Sequence, residues 1–407
     1  MKAIYWFQTD LRWEDHAGLR WLSEQEIPFV GVAFEPNPAS VFRKTFFWQT
    51  IADLRQKLQT HGVDIYVFQS PPEEALVSLA KENGVSFIGK SESFSGVHAP
   101  MARKLESAGL TVKSFSTQTL LEESDLPFSV NRLPLVFTDF RKAVEKNFSV
   151  RALLEAPLAL RGFSVSIPSS LVLAEAPRLA PLPFGFVGGS TAAKERLEEY
   201  FFETKSISHY KLSRNGMIEK NDSSKFSPWL ALGAISPRTI YWKLKEYEAQ
   251  FGANESTYWL VFELLWRDYF KFLAKRFGGK IFSRQGLRTA DRDWSTDVLQ
   301  LQKWKEGKTD SSFVNANMKE LLHTGWMSNR GRQNVASYLA KTLRIDWTLG
   351  AQWFEERLLD FDRESNWGNW LYQSGMGTDP RDRVFDVDRQ AKIYDPEGKY
   401  QSLWSKR

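Results

Sequence analysis

AIYWF (Ala3–Phe7), PFVGVAF (Pro28–Phe34), DIYVF (Asp64–Phe68), VSFIG (Val85–Gly89) and TVKSF (Thr111–Phe115) are five short, nearly unbroken apolar runs within the first 116 residues. Unbroken rather than alternating apolarity is what a strand needs when both faces of its sheet are covered. Between the runs, Phe42–Thr60 and Pro72–Asn83 read as amphipathic helices. Strand and helix in alternation predict a doubly wound parallel sheet with right-handed crossovers. Neither a GxGxxG nor a Walker loop follows the first run, so nothing here argues for a dinucleotide or P-loop site.

After a short predicted helix at VFTDFRKAVE (Val136–Glu145), the pattern dissolves from about residue 147 to residue 189. SIPSSLVLAEAPRLAPLPFGFVGGS, rich in proline, serine and glycine, reads as a long surface connector. From Thr191 onward the period becomes helical, as in SPWLALGAISPRTIYWKLKEYE and ESTYWLVFELLWRDYFKFLAKRF. The expected plan is an α/β domain over 1–130, a connector over 131–190 and an all-helical domain over 191–407.

Composition narrows the chemistry. The 407 residues contain no cysteine, which excludes disulfides, thiolate metal sites, iron–sulfur clusters and cysteine nucleophiles. A net charge of +5 permits an anionic partner without demanding one. No apolar run is long enough to span a bilayer, and the start is charged too early for a signal peptide. A cytoplasmic, monomeric protein is the simplest expectation. The sixteen tryptophans are an excess, and indoles suit stacking and electron transfer as well as a large core.

Four segments carry chemistry. In LLDFDRESNWGNWLYQSGMGTD (Leu358–Asp379), Asp362, Asn366 and Trp370 recur every four residues and share a helical face. A carboxylate, a carboxamide and an oxidisable ring in a line suit a redox cofactor; a helix with core tryptophans and capping acids is the plainer alternative. NDSSKFSPWLALG sets Ser223, Ser224, Lys225, Phe226 and Ser227 before a helix, either as a phosphate cradle or as a serine cap. FELLWRDYF places Glu263, Trp266 and Arg267 in an apolar helix, so the charges are paired internally or face a cavity where Trp266 offers a stacking platform. TGWMSNRGRQN groups Asn329, Arg330, Arg332 and Gln333, side chains able to read bases and phosphates. Arg332 is a candidate for a bidentate pair with Asp360.

With WFQTDLRWEDHAGL, IDWTLGAQWFEERLLDFDRESNWGNW and QAKIYDPEGKY in the same order, the chain resembles the photolyase/cryptochrome family over nearly its full length. YKLSRNGM, SSKFSPWLALG, NRGRQN and Tyr372 resemble its cryptochrome DASH branch. The resemblance implies FAD in the helical domain, held by Tyr210, Ser223 to Ser227, Glu263, Arg267, Asn329, Arg332, Asp360, Phe361, Asp362 and Asn366. Asn366 is then expected at the reducible flavin nitrogen, and Trp370, Trp347 and Trp294 as an electron path whose outer end meets solvent. Glu263 and Trp266 would meet a pyrimidine dimer flipped out of single-stranded or looped DNA, with Arg214, Asn329, Arg330, Gln333, Tyr372 and Arg383 also toward the DNA. Glu145 is implied as the holder of a 5,10-methenyltetrahydrofolate antenna. No metal is expected.

The resemblance also discriminates. Asn329 and Gln333 occupy the places of the histidine pair used by (6-4) photolyases, so cyclobutane-dimer repair is the implied activity. Gln8, Thr9, His16, Asp386, Gln333 and Tyr372 depart from the commoner family residues. Those at the lesion pocket keep a blue-light receptor as the alternative function. His61, His98, His209 and His323 read as ordinary surface or capping residues.

Overall fold

In the computed structural model, which describes all residues except 158, 289–291, 380 and 407, the five apolar runs are strands. They are β1 (Ala3–Trp6), β2 (Phe29–Phe34), β3 (Ile65–Phe68), β4 (Phe87–Ser91) and β5 (Thr111–Phe115). All pair in parallel, in the order β3-β2-β1-β4-β5, with Ala3 opposite both Phe29 and Phe87. Two helices, α1 (Ala17–Glu24) and α2 (Val41–Gln59), pack on the face bearing Ala3, Tyr5 and Phe7. Two more, α3 (Pro72–Asn83) and α4 (Ala99–Ser107), cover the face bearing Ile4 and Trp6. Both faces are buried at the central, apolar strands, whereas β5 at the sheet edge exposes Thr111, Lys113 and Ser114. The patterns of α1 and α4 were too short to be read beforehand. The fourth strand lies two residues later than its apolar run suggests, because Lys90 and Ser91 are buried in it.

The connector does not float. After α5 (Phe137–Glu145) it runs back along the sheet, where Leu173 bridges Phe68 and Ala174 N–H donates to the Val67 carbonyl at 2.8 Å. It therefore shields the edge of β3. The helical part follows as α6 (Ser190–Glu198), α7 (Tyr210–Ser213), α8 (Ser227–Leu232), α9 (Pro237–Phe251), α10 (Glu255–Phe277) and α11 (Val298–Lys305). It closes with α12 (Ser312–Thr324), α13 (Asn329–Ser337), α14 (Trp347–Arg357), α15 (Arg363–Ser374), α16 (Val387–Tyr394) and α17 (Lys399–Ser405). Among the described residues no helix is long and apolar enough to cross a membrane.

A polar seam joins the two parts. The buried guanidinium of Arg12 donates to the carbonyls of Glu14, Asp15, Thr117 and, from the helical part, Gly233. Leu11 N–H donates to the Leu232 carbonyl at 3.0 Å. Gly233 has φ 68° and lies so close to the first loop that a Cβ there would sit 2.0 Å from the Thr9 carbonyl oxygen. Only glycine meets both conditions. From the other side, Asp268 of α10 accepts from the Leu120 and Leu121 amides at 3.1 and 2.9 Å. Burial, partly offset by those two amides, raises its carboxyl to about 6.

A two-lobed cavity as candidate functional site

Helix α10 organises the site, because Glu263, Arg267, Lys271 and Lys275 recur every four residues along one stripe of it. Glu263 and Arg267 are not paired with each other. Arg214 Nη1 donates to Glu263 Oε1 at 2.5 Å, while Arg267 Nη2 donates to Asp362 Oδ2 and to the Leu230 carbonyl, both at 3.1 Å. Lys271 Nζ sits 3.3 Å from Asp362 and 3.2 Å from Glu364. Burial alone would push the Asp362 carboxyl up; Lys271, Arg267 and the Ser365 amide outweigh it and hold Asp362 well below the usual carboxylate range.

Glu263, Arg267 and Asp362 help to wall a cavity of two lobes that share lining residues. The smaller, about 530 Å³, is lined by Arg332, Phe354, Asp360, Asp362, Asn366 and Trp370. The larger, about 1540 Å³, is lined by Tyr210, the whole run Ser223–Ser227, Glu263, Trp266, Arg267 and Tyr372. Asn329, Arg332, Gln333 and Asp360 border both lobes. At the junction Arg332 Nη2 donates to both oxygens of Asp360 at 2.9 Å, so one nitrogen serves two acceptors rather than a two-nitrogen fork meeting them. Arg332 Nε donates to the Met327 carbonyl, which fixes the guanidinium plane.

Asp362 both caps and lines. Its Oδ1 accepts from Ser365 N–H at 3.0 Å as the N-cap of α15, and the same residue faces the smaller lobe. One turn on, Asn366 Nδ2 donates to the Ala351 carbonyl at 3.1 Å, which leaves its Oδ1 to accept from a ligand. The serine run forms no cap: α8 starts at Ser227 with Phe226 before it and no side-chain bond at its N-terminus. Ser223 Oγ accepts from Lys225 Nζ at 3.5 Å, and Ser224 and Ser227 line the larger lobe instead. Lys225 stands among them over the rings of Phe184 and Trp326. Burial lowers its amine to about 8, against the opposing charges of Asp222 and Glu320.

Not every expected residue converges here. Phe361 faces away, into a separate polar cavity bordered by Gln8, Thr9, Ser91, His98 and Lys271, and Arg43 lies over its ring at 5.1 Å. Asp362, extended at φ −115° and ψ 120°, borders both that cavity and the smaller lobe. Arg330 is turned toward Asn215 and the Tyr394 ring, and Arg383 is exposed. Glu145, at the end of α5, pairs with Arg141 at 3.1 Å and accepts from Tyr258 Oη at 2.6 Å. His98 is half-buried and stands at the N-cap position of α4 without a side-chain cap bond. It lines the second cavity, and burial lowers its imidazole to about 4, helped by Lys90 and Arg363.

The tryptophans also differ from expectation. Trp294 is only 6% exposed, so the expected outer end of the path is covered. Trp370 meets Trp304 at 6.2 Å and Phe354 at 5.2 Å, and Trp347 meets Trp367 at 5.6 Å. Trp370 packs against Gly350 of α14, where a Cβ would lie 2.3 Å from its ring. Trp304, Trp367 and Lys271 were missed in the sequence. For Lys271 the four-residue stripe was the available signal.

Comparison with known proteins identifies the family. Residues 3–159 match the family model for DNA photolyase, and residues 259–406 match that for the FAD binding domain of DNA photolyase. A cryptochrome DASH from Gloeobacter violaceus is 40% identical over 429 aligned residues, covering 99% of this chain and 85% of its own. The chain belongs to the photolyase/cryptochrome family. Its likeness to this family's solved structures covers both parts of the fold. The Synechocystis cryptochrome superposes with a TM-score of 0.92 at 39% identity, covering 99% of this chain and 88% of its own. A class III photolyase from Agrobacterium tumefaciens does so with 0.81 at 26% identity, covering 99% and 86%. For a photolyase/cryptochrome chain, the two-lobed cavity lies at the FAD-binding half, since Glu263, Arg332, Asp362 and Asn366 all fall inside the matched residues.

Proposed function

We propose that this protein is an FAD-dependent, light-driven lyase that splits cyclobutane pyrimidine dimers in single-stranded or looped DNA. The observation that carries the reading is the junction of the two lobes. There the Arg332–Asp360 pair and the Asn366 amide face one way, and Glu263, Trp266 and Tyr372 border the wider lobe beside them.

The residues present fit FAD. Hydroxyls of Ser223, Ser224 and Ser227 with the Lys225 amine suit its diphosphate. Asn366 Oδ1 suits a ring N–H, and Arg332 with Asp360 supplies a donor and an acceptor to the heterocycle. A reduced FAD held there would lend the dimer an electron on illumination and take it back once the ring has opened into two pyrimidines. The protein's part is to bind, orient and exclude water. Trp266 offers a base a flat apolar surface, and Glu263 an acceptor for base N–H groups once Arg214 releases it. Burial raises the Glu263 carboxyl, with Arg214 opposing. Single strands are preferred in this reading because an unpaired lesion costs least to extrude. Residues 1–130 act as the antenna domain, 131–190 as connector and 191–407 as the FAD domain. Glu145 holds a 5,10-methenyltetrahydrofolate, the protein works as a monomer, and Trp370, Trp347 and Trp294 carry electrons inward.

The test is a repair assay on reduced protein under blue light, using dimer-containing single-stranded, looped and duplex DNA, with the bound chromophores extracted from the same sample. Restoration of thymines in the first two substrates supports the reading; intact dimers in all three refute it. A second reading, a blue-light receptor, is favoured by the engagement of Glu263 with Arg214. It predicts light-dependent flavin reduction without any repair.

A further inference from the structure

Trp266 is held before any ligand arrives. Its indole lies face to face with the Phe137 ring, centroids 3.7 Å apart and planes at 11°. Tyr372 and Tyr269 close on its edges at 5.9 and 5.8 Å, and the Phe270 ring lies nearby at 5.3 Å, tilted by 33°. Phe137 is the first residue of α5 and is itself buried. The chain just before it is pinned to the helical part, because Tyr269 Oη donates to the Leu135 carbonyl at 2.6 Å and Thr378 Oγ1 donates to the same oxygen. Phe137 also meets Phe262 edge-on at 5.2 Å. An indole has two faces, and one of these is spoken for.

We propose that Phe137 is a positioning residue that fixes Trp266 as a one-sided, preformed stacking platform for an extruded pyrimidine. This rests on the lesion-binding reading above. A preformed ring surrenders less freedom when a base stacks on it, and offset or face-to-face aromatic contact adds to plain burial. Phe137 lies in the segment between the two parts of the fold, far in sequence from the helix it serves.

The experiment compares wild type, Phe137→Leu, which keeps apolar bulk without a ring, and Phe137→Tyr, which keeps the ring. The first readout is the ratio of affinities for a dimer-containing and an undamaged single-stranded oligonucleotide. The second is the 19F spectrum of 5-fluorotryptophan-labelled protein, with the Trp266 signal assigned by its loss in Trp266→Phe. Expected in Phe137→Leu are a ratio lowered roughly three- to tenfold and a shifted or broadened Trp266 signal, with undamaged-strand affinity kept; Phe137→Tyr holds both at wild-type values. A wild type without preference for the dimer refutes the lesion-binding reading and this inference with it. A wild type that prefers the dimer, with Phe137→Leu equal to it in both readouts, refutes this inference alone. If Phe137→Leu does not fold, Phe137→Met, likewise apolar and without a ring, replaces it under the same two readouts: a lowered ratio with a moved Trp266 signal supports the inference, and wild-type values in both overturn it.

Discussion

Glu320 on α12 is a buried acid with a measurable consequence. Tyr400 Oη, from α17, donates to its Oε2 at 2.6 Å and to Asn317 Oδ1 at 3.1 Å. Burial pushes the carboxyl from 4.5 up to about 8, against the Tyr400 bond and the charges of Lys225 and Arg332. A group whose folded pKa is raised keeps its proton in the folded state while the unfolded chain releases it. Its contribution to stability is therefore complete below pH 4.5 and is lost as pH rises toward about 8. At ~1.4 kcal/mol per pH unit the full loss is ~4–5 kcal/mol. Glu320→Gln keeps the acceptor for Tyr400 and removes the titration. Urea unfolding at pH 5, 6.5 and 8 should show the variant gaining on wild type by ~3–4 kcal/mol across that range. A stability difference that stays constant from pH 5 to 8 would mean that Glu320 ionises normally, and the reasoning would be refuted.

The same bookkeeping gives Lys225 the opposite sign. With its folded amine lowered to about 8, the ligand-free protein gains stability as pH rises from 8 toward the ordinary lysine value, whereas affinity for a diphosphate falls roughly tenfold between pH 7 and 9; flavin fluorescence titrations at both pH values check it. Gly350→Ala would press a methyl to 2.3 Å from the Trp370 ring and 2.6 Å from Leu339. A cost of ~1–3 kcal/mol is expected in denaturant unfolding, together with slower photoreduction; an unchanged midpoint would mean α14 can move aside.

The fold was legible because each level of the sequence agreed with the next. Unbroken apolar runs gave the strands, and their spacing left room for helices in between. What stayed hidden was short or non-local. Helix α1 has eight residues, with His16 Nδ1 rather than a serine accepting from Leu19 N–H at its start. In the site, side chains at helical spacing such as Asn366 and Trp370 could be placed on one face. The stretch Asp360–Asp362 has no such period, and Phe361 borders the separate polar cavity. Ion-pair partners were the least legible of all. Arg214 and Glu263 are 49 residues apart, and Arg267 and Asp362 are 95 apart, separations that no periodicity reports. Phe137 shows the same limit, since its position on a short amphipathic helix suggested nothing beyond core.

The Arg12 seam has a bearing on anyone who would build hybrids of these proteins. A chimera joined within the connector would seem natural, since the sequence changes character there. Yet Arg12 on one side is received by the Gly233 carbonyl on the other, and Gly233 can sit there only because it lacks a side chain. Grafting a sheet half onto a foreign helical half thus transplants a cation whose socket lies some two hundred residues downstream. The unit of exchange is the pair of contacting loops, not the stretch of chain on either side of the join.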